Sequence, residues 1–170
     1  ESWADDYIMA VVPTPDDKYM IFWMEEAWPA ASLKFTKIDQ QGNTEIGWNP
    51  NGNNLSNSNF DSRNLQAKAI SNGSGVLATW VQDGNFSDIY AQSIDWNGNI
   101  QFETGGIPIV EADNDQVEMD YTFNEAGTHA FMTWQDFRNG SDFEIYGEIL
   151  SLNDGSLMSQ ENIQFSLDTT

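Results

Sequence analysis

The sequence repeats itself. Trp23, Trp80 and Trp134 each close a short apolar run, MIFW, VLATW and AFMTW, at spacings of 57 and 54 residues. The glycines Gly42, Gly98 and Gly155, in IDQQG, SIDWNG and SLNDG, recur at spacings of 56 and 57. Between each Trp and its Gly lies a second run with an aromatic at a matching place: LKFTKID with Phe35, DIYAQSID with Tyr90 and EIYGEIL with Tyr146. Two independent markers keep one period, so the chain is three copies of a unit of about 55 residues. A repeat of that length is one supersecondary unit that cannot hide its apolar surface alone and must stack on its neighbours.

Each copy reads as β-structure. In the third, Val117, Met119, Tyr121 and Phe123 alternate with Glu118, Asp120 and Thr122, the pattern of a half-buried strand. A turn at 124–127, the run THAFMTW, a polar loop at 136–142, EIYGEIL and the Asn153-Asp154-Gly155 turn follow, with a weaker strand near NIQFSL. The second copy supplies LQAKAI, GVLATWV, DIYAQSID and a run near IQF. No segment sustains a 3.6-residue apolar period, so the fold class is all-β. Four short antiparallel strands per repeat predict a β-propeller blade. Blade 1 spans about 5–60, blade 2 61–112 and blade 3 113–170. A β-sandwich is the alternative, but it does not require so regular a period. Closed propellers have about 4–8 blades. Three are expected to leave the ring incomplete, its open faces covered by further blades, a second copy or another subunit.

Charge narrows the partners. There are 27 Asp+Glu against 6 Lys+Arg, a formal net charge of −21. Nucleic acid is not an expected partner, because phosphate binding needs clustered cations. An anionic membrane surface is disfavoured for the same reason, and no apolar run reaches the ~20 residues of a spanning helix. Seven Trp, five Tyr and ten Phe supply a core and argue against disorder. With no cysteine, the chain has no disulfide, no Cys-ligated zinc and no thiol nucleophile.

The strings WVQDGNFSDIYAQSIDWNG and WQDFRNGSDFEIYGEILSLNDG resemble the repeat W-x-D-x-R…D-I-Y-A-Q-x-I-D-x-x-G. That repeat recurs in large secreted or surface proteins of Bacteroidetes-type bacteria, many exported by the type IX secretion pathway. In the third copy Trp134, Asp136, Arg138, Ile145 and Tyr146 match it. In the second, Trp80, Asp83 (one place late), Asp88, Ile89 and Tyr90 match, but no Arg follows the loop. The first copy keeps Trp23 and Phe35 and has Glu25 where the Asp–Arg pair would start. The resemblance implies a propeller-like fold and a secreted or cell-surface location, without implying one activity. If the Asp–Arg pair is a loop clamp, only the third copy is expected to retain it.

The chemistry-bearing residues each have a plainer role to set beside a functional one. The three Trp end apolar strands, which fits a blade-to-blade core better than a sugar platform. Arg138 can grip a carboxylate ligand bidentately, or pair with Asp136 or Asp142 to fix its own loop. For Ca²⁺, which takes about six to eight oxygens, the best cluster is Glu111, Asp113, Asp115 and Asp120. EF-hand spacing is absent, and Asp95-Trp-Asn97-Gly98-Asn99 mimics only part of that loop. No metal or other cofactor is therefore expected, with Asp113 and Asp115 as the weak candidates for Ca²⁺. His129 sits in a strand expected to be buried on both faces, so it reads as a packed residue rather than a general base. No G-x-S-x-G, P-loop or H-E-x-x-H occurs, and no catalytic residue is assigned.

In a propeller, the loops between second and third strands share one end with the connections between blades. That nominates Trp28, Phe86, Phe137 and Arg138 from the loops, and Trp48 and Asp113 from the connections, as ligand-binding candidates. The expected function is a non-catalytic segment that binds a glycan or protein, mediates adhesion or serves as a scaffold. The alternative is the propeller part of an exported glycoside hydrolase.

Overall fold

The computed structural model describes residues 6–26, 30–56, 59–159 and 161–166. Among them there is no helix; twelve strands form three four-stranded antiparallel sheets. Sheet 1 holds β1 (Asp6–Pro13), β2 (Tyr19–Glu25), β3 (Ser32–Ile38) and β4 (Asn53–Asn54). Sheet 2 holds β5 (Asp61–Ala69), β6 (Gly75–Asp83), β7 (Ser87–Asp95) and β8 (Ile107–Val110). Sheet 3 holds β9 (Gln116–Phe123), β10 (His129–Asp136), β11 (Glu144–Ser151) and β12 (Ile163–Gln164). Strands pair in chain order within each sheet, an up-and-down meander with a short fourth strand at its edge.

Sheet 2 lies between the other two. One apolar cluster joins Met20, Phe22, Leu33 and Phe35 of sheet 1 to Val76, Ala78 and Trp80 of sheet 2. A second joins Leu77, Ile89 and Ala91 of sheet 2 to Met119, Met132 and Trp134 of sheet 3. Alternate residues of β6 thus enter opposite cores, and its first eight residues are all buried. That is why GVLATWVQ lacks the polar–apolar alternation of a one-sided strand. β10 does alternate: Ala130, Met132 and Trp134 are buried, while Phe131 and Gln135 are exposed. Among the described residues only one of its faces meets another sheet, while Phe165 lies edge-on to Phe131 on the other. The expectation that both faces bury His129 is corrected: it lies half-buried on the outer face of sheet 3, its Nδ1 2.9 Å from Thr128 Oγ1.

The period recurs in backbone detail. Register shifts occur in β1 between Ile8 and Ala10, in β5 between Arg63 and Gln66, and in β9 opposite Thr133–Gln135. Asn64 (φ 53°) and Glu118 (φ 50°), one repeat apart, take the left-handed conformation at the last two of these bulges. Such a bulge bends and twists its strand. The first strands lie beside one another, β1 against β5. β5 is tied to β9 by Lys68 Nζ, which donates to Asp120 (2.7 Å) and to the Tyr121 carbonyl (2.6 Å).

Tryptophan marks each seam. Trp80 and Trp134 are fully buried. Trp80 covers Gly106, where a Cβ would meet the ring at 2.4 Å, and Trp23 covers Gly52 in the same way at 2.3 Å. Both glycines also have positive φ, so neither position accepts another residue cheaply. The two buried indoles differ in one bond. Trp134 Nε1 donates to Asp136 Oδ2 at 2.8 Å, whereas Trp80 Nε1 has no hydrogen-bond partner among the described residues. Trp134→Phe is therefore expected to cost about 1–2 kcal/mol more than Trp80→Phe in urea unfolding, because it strips a bond from a buried carboxylate. Equal costs would show that the indole bond contributes nothing.

Candidate functional site

One end of the three-sheet stack gathers the loops between second and third strands and the connections between sheets. Its frame is a repeated lock. Asp61 Oδ1 accepts the Ala31 amide at 2.7 Å, tying the β2–β3 loop of sheet 1 to the head of sheet 2. Asp115, one repeat later, accepts the Ser87 amide through Oδ1 at 3.0 Å, tying the β6–β7 hairpin to the head of sheet 3. The Asp115 carbonyl also accepts the Phe137 amide at 2.9 Å. One aspartate therefore fixes the hairpin that carries Phe86 relative to the loop that carries Phe137 and Arg138.

A second set of carboxylates sits at the ends of the second strands. Asp136 is fully buried. It accepts Arg138 Nε (2.9 Å), Arg138 Nη2 (2.6 Å), the Arg138 amide (2.9 Å) and the Trp134 indole. Burial pushes its pKa up, but the bonds from Arg138 and Trp134 outweigh that and hold it below the usual carboxylate range. Arg138 Nη2 also reaches Asn162 Oδ1 at 3.1 Å, and the guanidinium lies 4.0 Å from the Tyr146 ring centroid. Its Nε and Nη2 thus hold the loop acid and the Asn162 side chain.

The Asp–Arg pair carried within one loop occurs in the third copy, but the other two sheets bind the matching acid with a cation from elsewhere. In sheet 2, Arg63 of β5 grips Asp83 with two bonds of 2.9 and 3.0 Å. In sheet 1, Lys34 Nζ pairs with Glu25 at 2.6 Å. Every sheet has an acid at the end of its second strand and a cation supplied from a different place. Lys18 pairs with Asp16 and Glu45, Lys37 with Asp16, and Lys68 with Asp120. All six Lys and Arg side chains are thus engaged with acids of the same chain.

The nominated aromatics separate. Phe86 is 42% exposed at the tip of the β6–β7 hairpin. Phe137 is half-buried, its ring 5.0 Å from that of Phe143, which is 52% exposed. Phe60, also exposed, precedes Asp61, which pairs with Asp83 beside the hairpin. Phe60 and Phe143 were not nominated from sequence, although each stands immediately before a strand at this end. Trp28 lies outside the described residues. Trp48 is not at this end: it belongs to the β3–β4 loop at the opposite end. There its ring meets Phe35 edge-on at 6.1 Å and closes over Gly98 of sheet 2. It is a wedge between sheets.

For a metal, Asp113 and Asp115 are exposed, and Asp115 is committed to the Ser87 amide. Among the described residues no three His, Asp or Glu side chains form a group that could hold an ion. The Asp95 loop uses its carboxylate internally, accepting the Asn97 and Asn99 amides and the Asn99 side chain. The unexpected acid is Asp88. Burial, and then the negative charge of Glu111, raise its pKa to about 6, and its Oδ1 is buried with no partner. Glu111 in turn accepts the Tyr90 hydroxyl at 2.7 Å. Glu148, fully buried, anchors the β11–β12 loop by accepting the Ile149 and Ser159 amides.

Comparison with protein-family models finds no match, and comparison with curated proteins finds none.

A pH dependence follows from Asp88. Its folded pKa of about 6 lies above the ~3.9 of an unfolded Asp. The neutral acid thus favours the fold fully below pH ~4, and that contribution is lost as pH rises through ~6. Asp88→Asn is expected to raise the melting temperature at pH 7.5 by ~2–4 °C. That corresponds to about 1 kcal/mol once solvent screening is allowed for. The gain should vanish near pH 4. A gain independent of pH would contradict the assignment.

Proposed function

We propose that the three sheets are blades of an incomplete β-propeller from a secreted or cell-surface bacterial protein. In this reading the chain acts without catalysis, as an adhesion or binding module for a neutral glycan or a protein surface. The observation that carries it is the exposed Phe60, Phe86 and Phe143 on loops and connections pinned at one end of the stack. Function in repeat folds sits in loops held by a rigid scaffold. Aromatic rings presented this way can receive the apolar face of a sugar or an apolar side chain.

The electrostatics favour the same class of ligand. A sulfated or carboxylated ligand would approach a chain of net charge −21 whose six cations are already paired. The propeller reading is supported by the period of about 55 residues, the meander order and the bulge repeated in each first strand. The W-x-D-x-R…D-I-Y-A-Q repeat that the chain resembles supports the extracellular location and export through the type IX pathway. The hydrolase alternative draws on Asp88, since a general acid must still hold its proton near working pH.

A neutral-glycan array beside a panel of chromogenic glycosides separates the two. Binding without turnover is expected, weakened at least about tenfold by Phe86→Ala with Phe143→Ala at unchanged melting temperature. Turnover abolished by Asp88→Asn would establish the hydrolase instead.

A further inference from the structure

The chain makes one kind of sheet-to-sheet contact twice and displays both halves of a third. Across each internal seam, the second strand of the following sheet turns its buried Trp toward the sheet before it, as Trp80 and Trp134 do. The corresponding residues of sheet 1 are Tyr19, Ile21 and Trp23. With Ile8 and Val11, their partners across β1, they form a face that no other sheet covers among the described residues. On it Ile8 is 73% exposed and Val11 54%.

The complementary face belongs to sheet 3. Phe131, Ile145 and Phe165 are exposed there. A shallow pocket of about 460 Å³ opens beside them between Phe123, Phe131, Ile149 and Met158. The register also repeats. Thr79 pairs with Ala91 on the face of sheet 2 that meets sheet 3, and Thr133 pairs with Gly147 at the same step of sheet 3. Both pairs set a Thr beside a small residue.

The far-end loops give an independent match. At each internal seam, the segment leading into the fourth strand of one sheet, in sheet 2 with that strand's first residue, caps the turn glycine of the next. A Cβ at Gly98 would meet Trp48 at 2.8 Å, and one at Gly155 would meet Ile107 and Phe102 at 3.0 and 3.1 Å. At Gly42 of sheet 1 a Cβ would meet nothing within 4 Å. The loop of sheet 3 that corresponds to the capping loops holds Leu157 and Met158, exposed by 37% and 59%.

We infer that sheet 3 of one chain docks on sheet 1 of a second copy and sheet 3 of the second on sheet 1 of the first. The product is a closed ring of two chains and six sheets about a two-fold axis. Six sheets fall within the range that closed propellers adopt, and reciprocal head-to-tail contacts close without leaving an edge for further growth. Each new seam reproduces the two internal ones, with the Leu157–Met158 loop over the partner's bare Gly42 turn. The inference rests on the propeller reading above. It fails separately, since loop-end binding needs no dimer.

Light scattering with gel filtration on the 170-residue chain at up to about 100 µM tests it. A discrete species near 38 kDa, twice 19.1 kDa, is expected. Ile8→Glu on sheet 1 and Phe131→Glu on sheet 3 should each give a folded monomer. An equimolar mixture of the two should recover a dimer, because one seam in the mixed ring carries neither change. That rescue also shows that both variants fold. A wild-type monomer at the highest concentration, a dimer indifferent to either substitution, no rescue on mixing, or open-ended growth would each overturn the inference.

Discussion

The fold depends on the seam where one four-stranded sheet lies on the next. Each sheet is a short meander whose strands carry apolar residues on both faces, so it gains nothing by pairing its strands unless a neighbour removes those faces from water. Trp80 and Trp134 are the largest side chains buried at the two seams. The first-strand bulges and the loop-over-glycine contacts recur around them at the same period. The structure is one contact and its repetition.

The acidic charge is organised around that contact. Few cations are available, and all of them are spent on the frame: Arg63, Arg138 and Lys34 at the ends of second strands, Lys68 between first strands, Lys18 and Lys37 near the β1–β2 turn. The Asp136–Arg138 cluster illustrates why. A buried carboxylate is tolerable only when its oxygens are fully bonded, and here one Arg and one indole satisfy both. The charge left uncompensated is negative, and exposed aromatics stand at the loop end. Asp88 is the exception, since its buried oxygen lacks a donor and Glu111 lies near it.

Much of this was legible in the sequence because repetition multiplies weak signals. Trp and Gly spacings give the period, and alternation in the third copy gives the strands. What escaped were features that depend on contacts between copies. The continuous burial of β6 appears only once a sheet lies on each side of it. Arg63 serves Asp83 from another strand, so a motif sought within one loop misses it. Trp48 lies in a long loop whose direction the sequence does not reveal, and it proved to be a wedge at the far end. Asp61 and Asp115 stand 54 residues apart at matching places, a spacing that could have marked them as locks.

If the seams hold the fold, a single sheet cannot stand without its neighbours. Far-UV circular dichroism of a peptide spanning residues 59–112, the middle sheet with its connections, measures this directly during heating. The expected result is a spectrum without β-structure and no cooperative transition, beside a sharp melt for the full chain. A cooperative melt of the isolated peptide would contradict the account, because each sheet would then be stable by itself and the seams would be incidental.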